Sequence, residues 1–266
     1  MIEPARYTCY RAAGPIVVDG RLDEASWRLA PKSSPFVDIV TGEPGWFDTR
    51  VVLLWDDQHL YFGFHVEEPE VWGTMTQRDS KIWEENDVEV FIAGTDAYYE
   101  FEVNCLNTVY EVFWIWKDIH GPGGPYWGRP EFDPRTQRTM VLDGVGGHRH
   151  SRGERWGFLD WDCPGLQHAV HVDGMLNRRD DVDRGWSAEI AIPWTSLQLL
   201  SASRTLPPTA GDVWRIDCSR FQKIGPDGKE LDPCAGWTWN RHGHYDSHIP
   251  EVFPVVTFSD KLATER

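Results

Sequence analysis

Short runs rich in Val, Ile, Phe, Tyr and Trp, each soon interrupted by Gly, Pro, Asn or Asp, limit what this chain can become. Thr49–Trp55 (TRVVLLW) and Leu60–Val66 (LYFGFHV) flank Asp56-Asp57-Gln58-His59, the pattern of a hairpin with a four-residue loop. Val88–Ile92 (VEVFI), Tyr98–Val103 (YYEFEV) and Val109–Trp116 (VYEVFWIW) follow closely, and Leu166–Val172, Trp186–Ile192, Val213–Arg220 and Val252–Phe258 come later. Runs of this length and spacing predict an all-β chain, an antiparallel β-sandwich of the jelly-roll kind. Only Asp23–Ala30 and Pro193–Leu200 read as short helices, the second with proline at its first position. Strand–helix–strand alternation is missing, which excludes Rossmann and TIM-barrel architectures.

The pattern dissolves between Lys117 and Gly165, a stretch carrying GPGGPYWGRP and DGVGGHRHSRG. This is long for a structureless connection, and such insertions tend to be functional or mobile. Trp127, Trp156 and Trp161 run through it, so it does not read as an interdomain linker. Residues 1–266 are therefore expected to form a single domain with a long loop insertion over 117–165. The 15 tryptophans suit β-sheets, which accept flat rings readily.

The net charge of −16 repels phosphate backbones and anionic bilayers, so neither nucleic acid nor a membrane is expected as partner. Neutral or cationic ligands, or a metal, fit better. No run of 18 apolar residues exists to span a membrane. The first twenty residues hold no apolar signal core, which points to a cytoplasmic protein. Cys9, Cys105, Cys163, Cys218 and Cys234 are odd in number and never paired as C-x-x-C, so they read as small buried apolar residues.

Side chains two apart in a strand share a face. Asp87 and Glu89 therefore lie on one face of their strand; Glu100, Glu102 and Asn104 lie on one face of the next. If the two strands pair, Asp87, Glu89, Glu102 and Asn104 form one polar surface, either a solvated exterior or the floor of a site for a hydroxyl-rich ligand. Trp83 stands among charges in Lys81–Asp87 and is a poor core candidate, so it marks a contact surface. Gly236-Trp237-Thr238-Trp239-Asn240 is again aromatic, with at most one of its two indoles expected to face a given site. Flat indoles match the C–H faces of a pyranose, while carboxylates and amides match its hydroxyl rim.

The segments WEENDVEVFI, YYEFEVNCLNTVYEVF, GWSAEIAIPW and WRIDCSRFQK, with the closing HIPEVFPVVTF, resemble family 9 carbohydrate-binding modules, over about Tyr10 to Ser259. The resemblance is narrower still to free-standing family-9-like proteins with a long central insertion. It implies a sandwich related to DOMON domains. It also implies non-catalytic binding of plant-type polysaccharide or oligosaccharide, xylan or cellulose, beside glycoside hydrolases in carbohydrate catabolism. Family habits place such a protein outside the cell. The resemblance puts Trp83 at the first of two sugar-gripping tryptophans, with the second at Trp237 or Trp239, beside Asn240. Its site glutamate and asparagine fall on Glu89 and Asn104. Where the family pattern has arginine, this chain has Glu102, so a donor fork has become an acceptor. Structural calcium occurs in the family, and Asp180-Asp181-Val182-Asp183 is its candidate here, although not an EF-hand pattern.

Two other readings stay open. Glu89 and Glu102 could serve as the carboxylate pair of a glycoside hydrolase. Histidines cluster at His148 and His150 and at His242, His244 and His248, the second group having, with Asp246, spacing compatible with a metal site, while a DOMON-like relative could hold haem through His and Met, the methionines here being Met1, Met75, Met140 and Met175. Nucleophile-elbow, P-loop, H-E-x-x-H and dinucleotide fingerprints are missing from the sequence.

Overall fold

The computed structural model describes residues 3–202 and 204–264. Its strands are β1 (Arg6–Arg11), β2 (Val37–Asp38), β3 (Thr49–Trp55), β4 (His59–Glu67), β5 (Asp87–Ala93), β6 (Ala97–Asn104) and β7 (Val109–Trp116). They continue as β8 (Thr139–Leu142), β9 (Arg155–Phe158), β10 (Gln167–Asp173), β11 (Gly185–Pro193), β12 (Val213–Ile224), β13 (Glu230–Thr238) and β14 (Val255–Leu262). Hydrogen bonding joins them in the order β10-β11-β4-β3-β1-β14-β12-β5-β6-β7-β9-β8, with β13 on β12 and the short β2 on β13. Pairing is antiparallel apart from β1, which runs parallel to both β3 and β14.

β1 is the corner. Arg6–Cys9 pair with Val255–Phe258, then the register slips, and Tyr10 and Arg11 pair with Leu54 and Trp55. One strand thus belongs to two leaves, and the open sheet folds over into a sandwich. Val51, Leu53, Phe62, Phe64 and Ile190 from one leaf share an apolar cluster with Val88, Val90, Phe101, Val103 and Phe113 from the other. A short helix, Ala25–Leu29, covers the far side of the first leaf. There Trp27 packs over Gly63, where a Cβ would meet Leu22 at 2.7 Å, and donates its indole N–H to Glu189 at 2.7 Å.

The strand runs expected from sequence are present, as is the first helix. Pro193 ends β11 instead of opening a helix; a 3₁₀ turn over Trp194–Leu197 and a single helical turn, Gln198–Ser201, follow it. The largest departure is the 117–165 insertion, which is only partly loop. β9 pairs with β7, and β8 pairs with β9, so the insertion extends the sheet. The exposed edge of β7 demands backbone partners, and the insertion supplies them with too few apolar residues to show a periodic pattern. β13 was equally hidden, because Asp232 and Pro233 interrupt its alternation.

Alternation leaves the second face of β5–β7 pointing out of the sandwich. It carries a smaller apolar cluster, including Phe91, Tyr98, Tyr110, Val112 and Trp114. Trp114 lies across β9 at Gly157, where a Cβ would come within 2.7 Å of the indole. Gly157→Ala is expected to displace that ring and lower stability by about 1–3 kcal/mol, the usual result of overpacking. Urea unfolding measures this, and a change under about 0.5 kcal/mol would mean the contact is slack.

Candidate functional site

The outer face of β12-β5-β6-β7 bears a small lattice of acidic side chains. Asp87 is paired with Asn104 and Phe221, Glu89 with Glu102 and Ser219, and Phe91 with Glu100 and Asp217. The polar surface expected from alternation is therefore real, but it is not solvated. Asp87, Glu89, Glu100 and Glu102 are all buried.

Above them lies a cavity of about 190 Å³, with Glu89, Glu100 and Glu102 in its floor. Trp83, Tyr110 and Trp114 line the β7 flank, and Phe221 with Tyr245 the β12 flank. Trp83 is half-buried and meets Tyr110 edge-on with 4.6 Å between ring centroids. Tyr245 meets Phe221 edge-on at 5.8 Å. Met140, Leu142 and Val145 from the insertion, and Asp246, Ser247 and His248 from the loop after β13, complete the lining.

Part of the floor is satisfied within the protein. The Ser219 hydroxyl donates to Glu89, and the Trp114 indole N–H donates to Glu100 Oε2 at 2.6 Å. His248 shares a hydrogen bond with the Tyr98 hydroxyl at 2.9 Å and sits 3.6 Å from Glu100. The amide of Phe221 donates to Asp87 Oδ1 at 3.2 Å. Asp87 Oδ2 and Glu102 Oε2 are buried with no donor from any other group, and the two raised carboxyls hydrogen-bond each other. Asp87, Glu89 and Glu102 each bring one oxygen within 4.8 Å of the other two, an all-oxygen set of the kind that hard divalent cations accept.

The sequence-derived site residues divide into two groups. The structure brings Trp83, Glu89 and Glu102 together at the cavity. Asn104 is adjacent, but its side chain is committed to its own turn. Its carbonyl accepts from the amides of Leu106 and Thr108 at 3.0 and 2.9 Å, and its amino group donates to Met75 O at 2.9 Å. Trp237, Trp239 and Asn240 are not at the cavity. Residues two apart share a face, so the two indoles point the same way, and that way is inward: both belong to the core between the leaves. Trp237 is enclosed by Trp46, Phe47 and the Arg220 guanidinium, 5.1 Å above its ring, and Trp239 packs on Tyr7. Asn240 accepts from the Ala5 amide at 3.0 Å and donates to Val252 O at 2.9 Å.

Tyr110 and Trp114 were missed, although the alternation that located Glu89 and Glu102 extends to them one strand on; Glu100, placed on the face of Glu102, was not carried into the site. Tyr245 and the 140–145 segment gave no local signal, because they reach the site from distant loops. The histidines around Asp246 are structural. Asp246 Oδ2 accepts from the Val145 amide at 3.1 Å and pairs with His148 at 2.8 Å, while Oδ1 accepts from the His248 amide at 2.8 Å. The Asp180–Asp183 cluster is not free for calcium. Asp180 pairs with Arg178, and both oxygens of Asp183 accept backbone amides, from Val71 and Met175.

Burial, then the Asp217 carboxylate, pushes Glu89 up to about 8; burial, then Glu89, pushes Glu100 up to about 8. Burial, then Glu89 and Asp87, lifts Glu102 well above the carboxylate range. A glycosidase pair works when one carboxyl is protonated and its partner ionised, whereas here Glu89 and Glu102 are driven the same way. These groups hold protons in the folded chain that unfolded carboxyls release near 4.5, so the unfolded state binds fewer protons and stability falls as pH rises through about 8. Burial, then Arg155, pushes His248 down to about 3, which costs stability only below its ordinary 6.5. The melting temperature is therefore expected to drop from about pH 6.5 to about pH 9, and Glu100→Gln to flatten the drop. A level or rising profile over that span, followed by calorimetry, contradicts the assignment.

Residues 48–114 match the model of Carbohydrate-binding family 9. No curated protein matches the chain. Its fold is similar to a candidate carbohydrate-binding protein from Bacteroides uniformis, at 13% identity and TM-score 0.60, over 96% of this chain and 100% of that one. It is also similar to a family 9 carbohydrate-binding module from Caldicellulosiruptor kristjanssonii in complex with cellotriose, at 13% identity and TM-score 0.52, over 96% and 94% of the two chains. The matched segment runs from just before β3 almost to the end of β7, and so contains Trp83 and the carboxylate floor. Residues 48–114 thus carry the family's pattern in the strands beneath the cavity, and the fold around them is similar to that of a family 9 module.

Proposed function

We propose that the protein binds carbohydrate at this cavity without transforming it, taking an end of a plant-type oligosaccharide or polysaccharide chain of the cellulose or xylan kind. One observation carries the reading: aromatic rings flank an enclosed floor of hydrogen-bond acceptors. Trp83, Tyr110 and Tyr245 offer flat surfaces to the C–H faces of a pyranose, each worth on the order of 1 kcal/mol beyond simple burial. Glu89, Glu100 and Glu102 offer acceptors to its hydroxyls. The volume, about 190 Å³, lies below the ~300–1,000 Å³ of typical ligand pockets, which favours a terminal ring over a long chain laid through the site. The cellotriose complex of the similar Caldicellulosiruptor module supports the ligand class. A working link to glycoside hydrolases follows from that ligand class, since a module that holds chain ends serves enzymes that make or use them.

Titration calorimetry with cello- and xylo-oligosaccharides is expected to give micromolar to millimolar affinity, roughly −8 to −4 kcal/mol. Trp83→Ala should weaken it at least about tenfold, near 1.4 kcal/mol. Trp237→Ala, which hollows the core, should instead lower the melting temperature. An absence of heat with both sugar series would sink the reading.

A further inference from the structure

A second hollow, of about 230 Å³, opens on the same outer face of the sheet. Ala93 and Arg215 are paired across β5 and β12, two residues beyond Phe91 and Asp217, and Trp116 stands two beyond Trp114. Alternation therefore keeps all three on the side of the first cavity. Four strand residues separate Ala93 from Glu89, about 13 Å. The charge of this hollow is the reverse of the first. Acidic residues outnumber basic ones 42 to 26 in the chain, yet Arg152, Arg204 and Arg215 all line this space, with Glu251 its only carboxylate. Glu251 is drawn to His150, at 2.9 Å.

The three guanidiniums are not equally engaged. Arg152 donates from Nε to Asp118 at 3.0 Å, from Nη2 to Asp96 at 3.0 Å and from Nη1 to Thr95 O at 2.9 Å. Arg204 donates through Nη1 alone, to Ala93 O at 3.1 Å. Arg215 also donates through Nη1 alone, to Glu251 O and Phe253 O, both at 3.0 Å. Among the described residues, neither Arg204 nor Arg215 has a carboxylate at ion-pair distance, and their Nε and Nη2 groups meet no protein acceptor. Burial works against the Arg204 charge, and Asp212 offsets only part of that effect. Two half-buried cations thus share one hollow, held by neutral carbonyls that leave their charge uncompensated. An oxyanion between them would relieve the repulsion and accept the free N–H groups. The planar fork of a guanidinium matches a carboxylate in bidentate fashion. A carboxylate also brings a single charge, whereas a phosphate monoester brings up to two, which a chain of net charge −16 repels more strongly.

Building on the carbohydrate-binding reading, we propose that this hollow is a second saccharide site, one that takes a uronic acid and seats its carboxylate between Arg204 and Arg215. Arg152, pinned by its two aspartates, walls the hollow, and Trp116 lines it beside Ala93. A methyl-esterified uronate keeps the ring and loses the charge, so the two guanidiniums stay uncompensated when it binds.

Calorimetry of the full chain compares the galacturonic acid trimer, its methyl ester, cellotriose, inorganic phosphate and sodium sulfate. The acid trimer is expected to bind at least about tenfold more tightly than its ester, through charge-assisted hydrogen bonds, and to weaken as sodium chloride is raised. Arg204→Gln and Arg215→Gln should each lower acid-trimer affinity at least about tenfold while cellotriose affinity stays within about twofold. If Arg215→Gln does not fold, Arg204→Gln and the comparison of acid with ester on the wild type carry the same test. Equal binding of acid and ester overturns the inference and leaves carbohydrate binding standing. So does acid binding that is lost in Trp83→Ala and kept in both arginine variants. No heat with the acid trimer also overturns it, and cellotriose then decides the carbohydrate reading separately. Phosphate or sulfate that binds as tightly as the trimer, and is lost in the arginine variants, gives the seat to a small inorganic anion and overturns the inference as well.

Discussion

The repulsive pairing of Glu89 with Glu102 across β5 and β6 is the constraint around which this site is built. Neither side chain chose that neighbour. Val88 and Val90 on one strand, and Phe101 and Val103 on the other, are fully buried between the leaves. Each such side chain contributes about 1.5–3 kcal/mol on burial. Slipping the register by one residue would exchange them for carboxylates in the apolar core. Core packing therefore dictates where the acids stand, and the outer face takes the consequence.

That consequence becomes a site only because the face is roofed. An open acidic sheet would be hydrated and its carboxylates ordinary. Here segments from two distant parts of the chain close over it, and Asp246 ties them together through Val145 and His148 of the insertion and the His248 amide of its own loop. Burial alone would raise the Asp246 pKa, yet His248, the His148 ring and these amides bring it below its ordinary value, so it stays ionised as a clasp. The same enclosure that strengthens the clasp raises the floor carboxylates. Asp246, met by donors on several sides, stays ionised, whereas its more thinly supplied neighbours Glu89 and Glu100 hold their protons up to about pH 8.

The aromatic residues divide by the same logic. Trp83 belongs to a short turn, Ile82–Glu84, packed against the outer face, so its indole is left half-covered beside a void. Trp237 and Trp239 sit in sequence among turn-like residues and look equally available. Trp237 ends a strand paired to β12 opposite Arg220, whose buried guanidinium caps its ring, and the strand's direction turns both indoles toward the core. Their local sequence carries no trace of that partner.

The sequence by itself determined the strand inventory of the core, the sandwich class, and the common face of Asp87, Glu89 and Glu102, because each depends on side-chain alternation within about eight residues, a purely local property. It also marked Trp83, since an indole amid charges has no place in an apolar interior. Only the tertiary structure decided that this face is buried instead of wet, that β8 and β9 extend it, that Tyr245 stands opposite Trp83 and Tyr110, and that Asn104, Trp237, Trp239 and Asn240 serve the scaffold. Those outcomes depend on contacts between residues far apart in the chain, whose energy comes from complementary shape and desolvation and leaves no periodic imprint on either partner.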